Sequence, residues 1–128
     1  MKRTAPNKDR PNDKPGYAAR AAASKILAAV VDRKTPLDGM IDTEHGNPAY
    51  RALGPADRAL TRALVLTTLR HKPMIDQAIA SLLDRPLPGG ARALSHVLAI
   101  AAAQILYLDV PDHTAVDIAV EQANADPR

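Results

Sequence analysis

From Tyr17 onward, apolar side chains recur at helical spacing and nowhere alternate at period two over a sustained stretch. That single property restricts the chain to packed helices, because a strand presents alternate residues to its core and a helix every third or fourth. Ala23, Ile26, Leu27, Val30 and Val31 lie at i, i+3, i+4, i+7 and i+8, so a helix is expected over Tyr17–Arg33. A second opens at Gly54-Pro55-Ala56-Asp57, where proline suits the first helical position and the aspartate favours the positive end. It runs to Arg70. Pro73 breaks or kinks it and starts another helix over Met74–Asp84, with Ile75, Ile79, Leu82 and Leu83 inward. Arg85-Pro86-Leu87-Pro88-Gly89-Gly90 is a firm stop. Ala91–Leu108 then reads as a central helix, apolar nearly all round and buried on most sides. Asp112 caps a last helix with Val116, Ala119, Val120 and Ala123 on its inner face. On this assignment Ile118 points away and lacks cover. Residues 34–54, rich in Gly, Pro and Asp, read as a connection with a helical turn near Leu37, Met40 and Ile41. The expected class is all-α.

The core has unusual materials. Apolar residues make up 46% of the 128, yet there is no Phe, no Trp, and only three Tyr. Ala, Leu, Ile and Val must fill the interior, which suits close helix packing. With no Cys there is neither a disulfide framework nor a thiolate metal site, which fits a reducing compartment. The start of the chain, MKRTAPNKDRPNDKPG, has charge but no apolar stretch behind it and is not a secretory leader. Ala93–Leu108 is interrupted by Ser95, His96 and Gln104 and is short for a membrane span, so a buried helix and a cytoplasmic protein are expected.

The net charge of +3 conceals an asymmetry. Residues 1–16 hold five basic groups against two acidic, and with three prolines they are expected to form a disordered basic tail. Residues 17–72 carry nine basic and five acidic groups, residues 73–128 three and seven. The folded part is therefore neutral but dipolar, which implies two kinds of contact surface.

No acid–base or nucleophilic arrangement can be assembled. The four histidines are scattered, and His96, inside an apolar stretch, reads as a satisfied core histidine. Gln104 and Tyr107 read as core hydrogen-bonding groups, and Asp76 as a helix-dipole partner. Basic residues are the better lead. At about 100° per residue, Arg20 lies roughly 20° from Leu27 around its helix, so it points with the apolar face. There it either pairs with a carboxylate or rims a binding surface. Arg58 and Arg62 are one turn apart, and arginine suits phosphate contacts. Lys14, Arg20, Lys25, Arg58 and Arg62 are the candidate RNA-binding residues. Apart from Tyr17 there is little to stack bases, so recognition would lean on charge and hydrogen bonds.

Several of these segments carry a resemblance. Arg20-x-x-Ala23-x-x-x-Leu27, the block Ala56-Asp57-Arg58-Ala59-Leu60 through Leu69-Arg70 with Asp76 beyond it, and AAQILYLDVPDHTAV (102–116) followed by Val120-Glu121 resemble the NusB-like family. Arg85-Pro86 and Val110-Pro111-Asp112-His113 resemble one branch of it, the leading domains of bacterial small-subunit ribosomal RNA cytosine-C5 methyltransferases. The resemblance implies a NusB-like bundle of about six helices over residues 17–128. It also implies ribosomal RNA and a linked methyltransferase domain as partners, with no membrane or DNA. S-adenosylmethionine and a catalytic cysteine are implied for a longer parent, with no cofactor in these residues. The chain is then expected to stop before a last helix and a catalytic domain. The alternative is a free-standing antitermination factor that binds boxA RNA and a ribosomal protein; a third is a purely structural interaction domain. Two departures stand out: Pro15-Gly16-Tyr17-Ala18-Ala19 replaces an arginine-rich run, and Ile118 replaces a family carboxylate.

Overall fold

A computed structural model describes residues 14–125. Residues 1–13, which hold most of the expected tail, lie outside the described residues. Among the described residues there are seven helices and no strand. They are α1 (Tyr17–Arg33), α2 (Leu37–Met40), α3 (Pro48–Arg51), α4 (Pro55–Arg70), α5 (Lys72–Leu82), α6 (Arg92–Tyr107) and α7 (Asp112–Ala125). The expected all-α bundle is what forms.

Local chemistry accounts for the boundaries. Gly16 precedes α1 with φ of 81°, a conformation that glycine adopts without strain, and a Cβ there would collide with the Arg20 guanidinium. At the other end Lys34 closes α1 in the left-handed region, φ 59°, and the Thr35 amide donates back to the Ala29 carbonyl at 3.0 Å. Pro73 sits in the first turn of α5, so the restart falls where its missing amide costs least. Pro111 offers its carbonyl to the amides of Thr114 and Ala115, which leaves Asp112 in the first turn of α7 rather than capping it.

The 34–54 connection is more ordered than expected. Asn47 Oδ1 accepts from the amides of Ala49 (2.9 Å) and Tyr50 (3.4 Å), and Pro48 fills the first helical position. This one-turn α3 drives Tyr50 into the core, where it is the largest fully buried side chain. The remaining core is aliphatic: Ile26 and Leu27 of α1, Leu64 and Val65 of α4, Ile75 of α5 and Ile100 of α6. Thr61 Oγ1 lies 2.8 Å from the Asp57 carbonyl of its own helix and 3.1 Å from the Ala19 carbonyl, so its one proton is shared between α4 and α1. Helix α6 contacts α1, α4, α5 and α7.

Three burial expectations are corrected. Helix α7 turns Ala115 and Ile118 inward, with Ile118 only 3% exposed, while Val116 and Val120 are 51% and 49% exposed. Two polar ties set this rotation. Gln122 Nε2 donates to Ser24 Oγ (3.2 Å) and the Arg20 carbonyl (3.4 Å), and Lys14 reaches Asp117 and Glu121. Leu82, at the end of α5, is 84% exposed rather than inward. The far end of α6 is likewise open, with Ile105, Leu106 and Tyr107 exposed. Between α5, α6 and α7 runs an apolar groove of about 380 Å³. By length and composition Gly89–Tyr107 could cross a membrane. In the bundle this stretch buries His96 and Gln104, both hydrogen-bonded to protein partners.

Candidate nucleic-acid interface

Arg20 is drawn into the bundle by the first turn of α1. It is 5% exposed, its Nε donates to Gln104 Oε1 at 2.9 Å, and its Nη1 donates to the Gly16 carbonyl at 3.2 Å. Gln104 Nε2 in turn donates to the Ile100 carbonyl at 3.1 Å, so the amide is used at both ends. Burial pushes the guanidinium pKa below its ordinary value, with the Asp57 charge pulling the other way. Among the described residues Arg20 makes no ion pair. Of the two roles left open by the sequence, carboxylate pairing is not realised, and the side chain is not presented to solvent either. It bridges α1 to α6.

Lys14 belongs to the same knot rather than to a flexible tail. Its Nζ lies 2.8 Å from Asp117 and 3.2 Å from Glu121 on α7, and these carboxylates hold its pKa up. Arg58 is half-buried and donates from Nη1 to the Leu53 carbonyl at 2.8 Å, which braces the entry to α4. Arg62 and Lys25 are exposed and make no ion pair among the described residues. The five candidates thus divide: Lys14 and Arg20 tie helices together, Arg58 is partly committed, and Lys25 and Arg62 face water. No hydrogen bond or ion pair joins them to one another.

Arg70 was missed by the sequence reading. It is exposed in the last turn of α4 and shares a face with Arg62 and Leu66 at i, i+4 and i+8. That spacing was legible in the sequence. A stacked pair, His71 on Tyr107 with centroids 3.8 Å apart and rings 7° from parallel, lies just past Arg70. Two residues 36 apart could not have been paired from the sequence. Tyr107 is therefore not the core group expected, whereas Gln104 is.

The remaining polar chemistry is structural. His96 Nε2 lies 2.8 Å from Asp32 Oδ2, and Arg92 also bonds Asp32; hydrogen bonds from Arg92 and then His96 hold the Asp32 carboxyl below its usual pKa. This is the satisfied core histidine expected. Among the described residues no hydroxyl bonds to an imidazole, and no three His, Cys, Asp or Glu side chains cluster as metal ligands.

A bundle of this kind spends many of its polar groups on joining helices and leaves Arg62 and Arg70 on one outer face of α4. The chain belongs to the NusB family, whose sequence profile matches residues 17–127. It is similar to the ribosomal RNA small subunit methyltransferase B of three bacteria. Identity is 36% over 110 residues with that of Xanthomonas campestris pv. campestris (86% of this chain, 24% of the relative). It is 33% over 112 residues with that of Proteus mirabilis (88% and 25%) and 32% over 106 with that of Vibrio vulnificus (83% and 24%). The chain spans about a quarter of the length of these relatives.

Proposed function

We propose that this chain is the RNA-gripping leading domain of a bacterial small-subunit ribosomal RNA (cytosine-C5) methyltransferase. It works in the cytoplasm, ahead of a linked catalytic domain that supplies S-adenosylmethionine and the nucleophilic cysteine. The observation that carries this reading is the NusB-family match over residues 17–127 joined to relatives named for ribosomal RNA methylation. The distribution of cations supports it. Lys25, Arg62 and Arg70 are exposed and outside any ion pair among the described residues, which leaves them for phosphates. Lys14 and Arg20 support that surface from behind by fixing α1 against α6 and α7.

Because residues 17–128 carry equal numbers of basic and acidic groups, binding is weak, and because it rests on phosphate contacts it is strongly salt-dependent. The test is a titration of a structured small-subunit ribosomal RNA fragment at low and at moderate salt. Lys25→Ala, Arg62→Ala and Arg70→Ala should each weaken binding by about 1 kcal/mol without changing the melting temperature. An affinity indifferent to salt, or to all three substitutions, overturns the proposal.

A further inference from the structure

The few aromatic side chains are placed unevenly. Of the three tyrosines, Tyr50 is enclosed in the core, Tyr17 is half-buried on α1, and Tyr107 at the end of α6 is 39% exposed. Tyr107 keeps that exposure although one face of its ring is covered by the His71 imidazole, parallel to within 7° at a centroid distance of 3.8 Å. Among the described residues neither ring makes a hydrogen bond or an ion pair. A buried aromatic pair would be explained by packing, and its polar atoms would have partners. This pair stands at the surface with its phenol and imidazole edges unclaimed.

Charge of both signs surrounds the stack, and each sign arrives with one of the two rings. His71 is the joint between α4 and α5, so Arg70 adjoins it in the chain, and Arg62 lies two turns back on the same face of α4, about 12 Å away. Both arginines are exposed and outside any ion pair among the described residues. Lys72 is held by Asp76 at 2.7 Å and does not add to this row. The connection that follows Tyr107 carries Asp109 and Asp112, exposed and equally unpaired among the described residues. A phosphate is therefore favoured along α4 and disfavoured beside the α6–α7 connection. A flat, uncharged group is indifferent to that gradient and can lie against the rings. A nucleotide meets both conditions, because its base stacks while its phosphates follow the arginines. We infer that the His71–Tyr107 pair is a stacking platform for an unpaired RNA base whose flanking phosphates run along Arg70 and Arg62. The inference rests on the RNA role proposed above and adds a contact that prefers unpaired to paired RNA. Recognition is then not confined to charge and hydrogen bonds, as the sequence alone suggested.

The test compares three RNAs: a short duplex with one bulged adenine, the same duplex with an abasic residue in the bulge, and the fully paired duplex. The parent should bind the adenine bulge at least about fivefold more tightly than either of the others. Tyr107→Leu keeps apolar bulk at an exposed position, so it should melt like the parent, and it should bind the adenine bulge no better than the abasic one. Tyr107→Phe should retain the preference. Arg70→Ala should weaken all three RNAs by a similar factor, because it removes a phosphate contact. Salt-dependent binding of all three RNAs with no preference for the adenine bulge overturns the inference and leaves the RNA role standing. A preference that survives Tyr107→Leu also overturns it. So does a Tyr107→Leu protein that melts lower and loses the adenine and abasic bulges alike, since the stack would then only pin α6 to the corner between α4 and α5. Failure of the ribosomal RNA titration described above removes the RNA role, and this inference with it.

Discussion

Arg20→Ala separates a bundle organiser from an RNA contact. The substitution deletes the bond from Nε to Gln104 Oε1 (2.9 Å) and the bond from Nη1 to the Gly16 carbonyl (3.2 Å). Bonds from a charged donor contribute about 1.5–3 kcal/mol each, and a buried amide oxygen left without a donor costs a further 1–3 kcal/mol or so. Against this, the variant no longer buries a cation that has no ion-pair partner among the described residues, and that relief offsets part of the loss. The net expectation is a destabilisation of about 3 kcal/mol, which for a domain of this size lowers the melting temperature by roughly 12 °C. Urea unfolding of Arg20→Ala, Gln104→Leu and the double variant measures the pair directly. A coupling of about 1–2 kcal/mol is expected, because Gln104→Leu removes the oxygen that Arg20→Ala would strand. An Arg20→Ala protein within about 0.5 kcal/mol of the parent, with diminished affinity for ribosomal RNA, would refute the reasoning and return Arg20 to the RNA surface.

Lys34 holds a left-handed conformation with φ of 59°, so Lys34→Gly should raise the unfolding free energy by about 1 kcal/mol in urea titration; a loss would mean the lysine side chain contributes more than its backbone costs. The Asp32 carboxyl, lowered by Arg92 and His96, adds stability above its unfolded pKa of about 4, and this is lost as pH falls through the folded value. Asp32→Asn should therefore be less stable at neutral pH and show a flatter decline on acidification, and parallel curves for the two proteins would rule the pair out as a source of acid sensitivity.

Much of the fold is determined by short-range chemistry. The limits of α1 follow from aliphatic spacing, those of α4 from Gly54-Pro55 and Asp57, and the restart of α5 from Pro73; each depends on neighbours within a turn or two. Asn47-Pro48 was an equally local signal for α3, overlooked inside a loop-like composition, and with it went the burial of Tyr50. Other features were decided only in three dimensions. An amphipathic helix with apolar residues on two sides, as α7 has in Ala115 and Ile118 against Val116 and Val120, can be rotated either way by its pattern alone. The choice was made by Lys14, Ser24 and the Arg20 carbonyl, about a hundred residues earlier in the chain, bonding Asp117, Glu121 and Gln122. For Arg20 the direction of the side chain was visible at 100° per residue, but its partner, Gln104, lies 84 positions away. Helical periodicity says which elements form, because it arises within one helix. Which face is covered and which cation remains free depends on contacts between helices, and those exist only once the bundle has closed.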